Sequence, residues 1–259
     1  GGAGGNSLMD DLIGVGGSAS PGTGGGWGGG NGTGTGIGNG AGHGSFGQRS
    51  GGGRRLMVMK HGGGKATESA VDKALEWLAK HQEADGHWDT AKYGGKTDCD
   101  TSMAGFGLLA FLGAGHTQKV GKYKDNVSRG IDWLIKKQLP NGCLASKGES
   151  QGYNHAIAGM ALAEAAGMGR DSFTKEAAQK ALEYSVDIHQ CGEGSDKRGW
   201  RYKIHQEGDL SNSGWFVMQL KSAKVAGLKV PHGGFEGAAW FLDHVEDKTF
   251  AKDANNVYD

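Results

Sequence analysis

Four stretches of the chain predict α-helices with one buried face. Apolar side chains recur in them every three or four residues, which is the period of a helix whose other face is wet. The positions are Val71, Ala74, Leu75 and Leu78, then Val127, Ile131 and Leu134, then Ala178, Ala181 and Leu182. The fourth stretch is AAWFLDHV, residues 238–245. The predicted starts of the four helices are near Thr67, Lys124, Thr174 and Gly234.

Three stretches between them have a different pattern. They read TSMAGFGLLAFLGAG, HAIAGMALAEAAGMG and SNSGWFVMQLKSAKVAGL, and the first two are apolar or small on nearly all sides. Helices of this kind pack against protein on both sides. We expect them to begin near Thr101, His155 and Asn212. The alternation indicates two concentric layers, in which outer helices shield inner helices from water.

The outer stretches are copies of one repeat. KALEWLAKHQEADGHW (73–88) returns as GIDWLIKKQLPNGCL (130–144), more loosely as ALEYSVDIHQCGEGSDKRGW (181–200), and in part as AAWFLDHV. The aromatic anchors of the four copies are Trp77, Trp133, Tyr184 and Trp240, at separations of 56, 51 and 56 residues. Because this period holds one helical hairpin with its loops, the sequence predicts an array of hairpins.

The first outer stretch ends in the spacing Q-x-x-x-G-x-W, formed by Gln82, Gly86 and Trp88. We expect Gln82 to bond the exposed amides at the start of the next outer helix. Gly86 permits a tight turn, and Trp88 is expected to stack on the glutamine. The three residues would then join neighbouring hairpins.

In the form W-L-x-x-x-Q-x-x-x-G-x-W, this repeated tail resembles the QW motif of the squalene cyclase and prenyltransferase β-subunit superfamily. WLAKHQEADGHW matches it in full, WLIKKQLPNGCL lacks the final Trp, and the third copy has an insertion before Gly199 and Trp200. The similarity covers roughly residues 66–247. The chain as a whole resembles the tethered squalene-cyclase-like repeat proteins of bacteria. The resemblance implies an all-α fold, an α/α toroid, and with four outer helices the ring is expected to be incomplete.

A Gly-rich segment precedes the repeats. More than half of the 52 glycines lie in residues 1–64, where few side chains are available for burial. We expect a flexible tether over residues 1–64, without stable structure in residues 1–53, and a toroidal domain over residues 65–259. The basic apolar patch RRLMVMK (54–60) is expected either to clip onto the domain or to be exposed.

Charge and composition narrow the classes of partner. Because the net charge is zero, there is no electrostatic reason to expect nucleic acid or an anionic membrane as a partner. Three widely spaced cysteines without a CxxC pair favour neither a disulfide framework nor a Cys-rich zinc site. We expect no signal peptide and no transmembrane segment in this sequence. The sequence does not determine the cellular compartment of the protein. Membrane contact is expected only through sequence not shown here.

Asp98 and Asp100 are the candidate acids. DCDT, residues 98–101, resembles the D-x-D-D acid motif of class II terpene cyclases, with Thr in the last position. In such enzymes an Asp protonates an alkene or epoxide, so it must stay protonated in an apolar cavity. The resemblance implies that Asp100 is the acid and that Asp98 is a neighbouring like charge. His155, one hairpin later, is expected to orient Asp100.

Helix capping is the ordinary alternative for these positions. Asp100, Asn154 and Asp209 each stand at the start of a predicted inner helix. Asp and Asn are preferred N-caps, each contributing about 1 kcal/mol through a bond from an exposed amide. Capping is therefore an alternative role for Asp100 and the expected role of Asp209.

A zinc site is a second alternative use of the same region. Prenyltransferase β-subunits hold zinc with an Asp-x-Cys pair and a His of the next inner helix, and Asp98, Cys99 and His155 resemble this set. All three residue types are competent zinc ligands. In this chain, however, Asp98 and Cys99 are adjacent rather than separated by one residue. The acid mechanism needs no cofactor, so zinc belongs only to this alternative.

Aromatic residues of the inner stretches are candidates for a substrate site. Phe106, Tyr153, Trp215 and Phe216 are expected either to line a central cavity, where ring faces stabilise cations, or to pack the core. The leading interpretation is a squalene or terpene cyclase-like domain that binds an apolar isoprenoid. The alternatives are a non-catalytic tethered scaffold with a protein partner and, less favoured, a zinc-dependent prenyltransferase-like enzyme.

Overall fold

The computed structural model describes residues 44–49, 51–145, 151–193 and 197–245, and within these ranges the regular structure is entirely helical. The α-helices are α1 (Gly51–Lys60), α2 (Lys65–Lys80), α3 (Asp100–Gly113), α4 (Lys124–Lys137), α5 (Gln151–Gly169), α6 (Ser172–Glu183), α7 (Leu210–Val225) and α8 (Gly234–Val245). Short 3₁₀ turns lie at Gly44–Arg49, Ala91–Tyr93 and Thr97–Cys99, and a π-helical turn follows α6 over Tyr184–His189. In this part of the chain no helix has the length and apolarity needed to cross a bilayer.

The predicted helix starts agree with the structure. Six of the seven lie within two residues of the observed start. The exception is α5, which begins at Gln151 rather than near His155. Helical periodicity therefore located every repeat helix from Lys65 onward.

The inner layer consists of α3, α5 and α7, which pack side by side in chain order. The central helix α5 is buried along nearly its whole length. Small residues allow this close approach: a Cβ on Gly105 would lie 3.0 Å from Cγ2 of Ile157, and a Cβ on Gly159 would lie 2.2 Å from Nε2 of Gln219. Protein atoms therefore fill the space between neighbouring inner helices.

The outer layer consists of α2, α4, α6 and α8. α2 packs on α3, α4 on α3 and α5, α6 on α5 and α7, and α8 on α7. Residues of the predicted apolar stripes, such as Leu75, Val127 and Leu182, are buried against this inner layer. The predicted alternation of outer and inner helices is confirmed.

The expectation of a flexible tether over residues 1–64 is wrong for its last part. Residues 44–49 and 51–60 are helical, and the ring of Phe46 is only 4% exposed. Phe46 lies against Gly167, where an added Cβ would stand 2.6 Å from its Cε2. Burial of one aromatic ring thus offsets part of the ordering entropy that glycine makes large. Residues 1–43 and Ser50 lie outside the described residues.

Two arginines attach this segment to the domain. Arg49 forms an ion pair with the buried carboxylate of Glu164, at 2.5 and 3.2 Å. Arg54 pairs with Glu68 at 2.9 Å and donates to the carbonyl of Gly113. The patch at residues 54–60 is therefore attached to the domain through Arg54, whereas the side chain of Leu56 in the same patch is exposed.

Candidate ligand-binding site

Gln82 joins the corner after α2 to the next outer helix. Its Nε2 donates to the carbonyl oxygens of Gly86 and Asn126, both at 2.9 Å. Its Oε1 accepts from Nδ2 of Asn126 at 2.8 Å and from Arg129 at 3.0 Å. The predicted bond to backbone at the start of α4 is confirmed, but the backbone partner is a carbonyl rather than an amide.

Gly86 makes this corner tight, as expected. Its φ is +112°, a region that favours glycine. A Cβ there would lie 2.2 Å from the carbonyl oxygen of Arg129. The absent side chain therefore allows the corner and α4 to touch.

The same glutamine contact recurs in the other two copies. Gln138 donates to the carbonyls of Gly142 and Ala177, at 3.1 and 2.9 Å. Gln190 donates to carbonyls at the start of α8 and across its own loop, namely those of Arg198, Gly233 and Gly234. Each corner is therefore bonded to the outer helix that follows it.

Trp88 packs against the inner helix α3, and its predicted stacking on Gln82 stays a prediction. Its ring is 5% exposed and its Nε1 donates to the carbonyl of Leu78 at 2.9 Å. The ring lies on Gly107, where an added Cβ would be 2.8 Å away, and 6.3 Å from the ring of Phe111. The apolar surface of the inner helix α3 offers the indole more burial than the polar glutamine does.

A cavity of about 450 Å³ lies between α2, the loop that follows it and α3. This volume is within the range of small-molecule sites. Its wall is largely aromatic, with Trp77, Trp88, Tyr93 and Phe106. Asp89 and Thr90 are the polar side chains of the lining. This cavity lies between the outer helix and the inner helix of the first hairpin, whereas the cavity expected at the centre of the inner helices stays a prediction.

The position of this hairpin in the array explains why the cavity is open. In the second copy, Trp133 is 6% exposed because the preceding corner covers it. His87 stacks on its ring at 5.1 Å and Asp85 accepts from its Nε1 at 3.2 Å. Within the described residues no such corner precedes α2, and Trp77 is 49% exposed.

The predicted aromatic site residues separate into three environments. Phe106 lines the cavity and meets the edge of Trp215 at 5.4 Å, so these two residues are brought together. Phe216 is fully buried and stacks on Trp200 at 5.2 Å. Tyr153 donates from its hydroxyl to Ser211 at 2.7 Å. Only Phe106 of the four is part of the cavity wall.

Asp100 lies directly behind the cavity wall. Its Oδ1 accepts from the backbone N of Thr90 at 3.0 Å and from the Thr90 hydroxyl at 2.7 Å. Thr90 lines the cavity, whereas Asp100 does not. Asp100 is the first residue of α3 and makes no capping bond, so the alternative of a cap is wrong here. The capping role of Asp209 is confirmed, because it accepts from the N of Asn212 at 2.8 Å.

His155 is fully buried and does not orient Asp100. Its Nδ1 accepts from the backbone N of Leu144 at 3.1 Å. Its Nε2 lies 3.0 Å from the carbonyl of Ala181 and 2.9 Å from the Ser185 hydroxyl. Burial lowers the pKa of His155 to about 3. Nε2 therefore serves the contact between α5 and α6, and Nδ1 serves the contact of α5 with the loop that precedes it.

The zinc alternative does not fit these residues. His155 has no nitrogen lone pair directed at Asp98 or Cys99, because one nitrogen accepts an amide and the other faces a carbonyl. Cys99 donates to the carboxylate of Asp98 at 3.6 Å. Among the described residues no three His, Cys, Asp or Glu side chains are grouped as metal ligands. The three predicted ligands are therefore not brought together.

Residues 37–156 match the family model of the squalene-hopene cyclase C-terminal domain. Over this segment the chain is similar to that domain, which is part of the terpenoid cyclase and prenyltransferase superfamily. The match includes the first QW corner, the DCDT sequence and the whole cavity wall. No curated protein and no solved structure matched the chain. The predicted relationship to squalene cyclases is thus confirmed.

Several cavity residues were missed by the sequence analysis. Asp89, Thr90 and Tyr93 lie in the loop between α2 and α3, where no periodicity marks a buried position. Trp77 was identified only as a repeat anchor. Its place in the first copy was the available signal, because no corner among the described residues precedes this copy to cover Trp77 as His87 covers Trp133.

Proposed function

We propose that this squalene-cyclase-like domain binds an apolar, isoprenoid-like small molecule in the cavity between α2 and α3. The observation that carries the proposal is the cavity itself, whose wall is aromatic and aliphatic apart from Asp89 and Thr90. Burial of an isoprenoid chain in such a wall is favourable by about 25 cal/mol per Å² of apolar surface removed from water. The family that residues 37–156 match, the squalene-hopene cyclase C-terminal domain, is named for an apolar isoprenoid substrate.

The architecture is part of this proposal. The two helical layers are those of an α/α toroid, with α3, α5 and α7 as its inner wall and α2, α4, α6 and α8 as its outer wall. Within the described residues no hairpin precedes the one that contains α2 and α3. The ligand site is formed on this hairpin.

Protonation of the ligand by Asp100 is not part of the proposed function. The carboxyl lies behind Thr90 and is absent from the cavity wall. A general acid must reach the atom that it protonates at hydrogen-bond distance. The geometry therefore favours binding of the ligand over acid catalysis by this residue.

Titration with farnesol, a neutral isoprenoid alcohol, tests the proposal. We expect farnesol to change the tryptophan fluorescence, because Trp77 and Trp88 lie in the wall. Met103→Gln should weaken binding several-fold, since it places an amide in the apolar wall. Met218→Gln is the matched control, because Met218 is similarly exposed on α7 and lies outside the cavity.

Equal loss of farnesol affinity in both methionine variants would contradict binding at this cavity. If farnesol did not bind to the unaltered chain at all, the result would favour the alternative of a non-catalytic interaction scaffold. Asp100→Asn should leave the affinity for farnesol within about twofold.

A further inference from the structure

The charge inside the cavity has one sign. Asp89 is the only charged residue in its wall, and it is half-buried. One carboxylate oxygen, Oδ1, accepts from the N of Ala91 at 2.9 Å. Among the described residues no lysine or arginine forms an ion pair with Asp89, whereas the neighbouring Lys92 pairs with Glu83. Lys92 interacts with Asp89 electrostatically without an ion-pair contact, so an uncharged ligand would leave Lys92 as the compensating charge, whereas a ligand cation would compensate the carboxylate directly.

Asp100 adds to the negative charge at the same end. Its carboxylate lies behind Thr90, the residue next to Asp89. The cationic Lys92 is held by Glu83 on the exposed side of the loop. The charged groups next to the cavity therefore favour a positive ligand group.

The aromatic rings of the wall attract the same kind of group. Trp77 and Tyr93 have ring centroids 5.9 Å apart, with the ring planes tilted at 56°. Trp88 and Phe106 add two more rings to the wall. Ring faces bind quaternary ammonium groups, and a nearby carboxylate strengthens such a site. Rings and a carboxylate are thus combined in one apolar cavity.

We infer that the cavity selects amphiphilic organic cations, in which a quaternary ammonium group is attached to an apolar chain. The ammonium group lies among the rings beside Asp89, and the chain lies along Met103 and Phe106. This inference rests on the proposed function, because the apolar chain uses the same wall. It assigns Asp89 as the residue that determines ligand charge.

Three probes with one farnesyl chain test the selection. They are farnesol, farnesyltrimethylammonium and farnesoate, each titrated below the concentration at which it aggregates. We expect the trimethylammonium compound to bind about tenfold more tightly than farnesol, and farnesoate to bind most weakly. Asp89→Asn should remove the preference for the cation and leave the affinity for farnesol nearly unchanged.

Asp72→Asn is the matched control, since Asp72 is exposed on α2 and lies outside the cavity. It should retain the preference for the cation, which excludes a general attraction to surface charge. Equal affinity for the cation and farnesol, or a preference that survives Asp89→Asn, would overturn the inference and leave the proposed function standing. Failure of all three probes to bind would overturn both.

Discussion

At the scale of single residues, the structure keeps two buried histidines neutral. Nδ1 of His155 accepts a hydrogen bond from the backbone N–H of Leu144. Protonation of Nδ1 would place a second N–H against this donor and break the bond. Burial is the main cause that lowers the pKa of His155 to about 3 and that of His189 to about 4. In the unfolded chain both rings titrate near 6.5.

We therefore predict that the chain loses stability as the pH falls from about 6.5 towards 4. In this range the unfolded state binds protons that the folded state does not, so the free energy of unfolding decreases with falling pH. The slope should reach about 1.4 kcal/mol per pH unit for each histidine. Urea unfolding between pH 7 and pH 4.5 measures it.

His155→Gln should reduce this slope, whatever its effect on stability at pH 7. His61→Gln is the control, since His61 is exposed at the end of α1. Identical slopes in the unaltered chain and in His155→Gln would show that this ring does not contribute.

At the scale of the elements, the glutamine corners hold neighbouring outer helices together. Gln82, Gln138 and Gln190 each donate to a carbonyl of the next outer helix or of the residue just before it. The bonds add a side-chain donor to carbonyls at the start or middle of the next helix and so fix each corner against it. The hairpins are therefore joined by polar contacts outside as well as by apolar packing inside.

We predict that Gln82→Ala and Gln138→Ala each cost about 1–3 kcal/mol of stability, because a buried carbonyl or side chain loses its partner. Gln206→Ala is the control, because Gln206 is exposed and accepts only from Lys203, three residues away. Chemical unfolding of the three variants measures the difference. Unchanged unfolding midpoints for both corner variants would show that the repeated motif does not stabilise the fold.

At the scale of the whole molecule, the segment at residues 44–60 attaches to both helical layers. Arg49 reaches the carboxylate of Glu164 on the inner helix α5, which also accepts from Ser222 on α7 at 3.0 Å. Arg54 reaches Glu68 on the outer helix α2. The segment therefore connects elements that are distant in the sequence.

We predict that Arg49→Ala costs about 1–3 kcal/mol, because Glu164 is left buried without its cation. Amide exchange in α1 should accelerate in this variant, since the segment loses one of its anchors. Arg55→Ala is the control, because the side chain of Arg55 is exposed on α1. Unaltered exchange in α1 after Arg49→Ala would mean that Phe46 and Arg54 hold the segment without the ion pair.

The sequence by itself determined the repeat helices, their order and the similarity to squalene cyclases. Helical periodicity and the recurrence of Gln82, Gly86 and Trp88 depend on short-range spacing, which a sequence displays directly. The same holds for the cap at Asp209, since capping involves residues three positions apart.

Only the tertiary structure decided which side chains meet. Asp100 bonds Thr90 rather than a helix amide or His155, and Trp88 lies on Gly107 of the inner helix and donates to the carbonyl of Leu78. The helical segment at residues 44–60 is held by Glu164, more than 100 residues away. Such contacts depend on the angles between helices and on which faces remain uncovered, and local spacing does not encode either. The cavity beside the first hairpin is open for the same reason, because no preceding corner among the described residues covers Trp77, unlike Trp133.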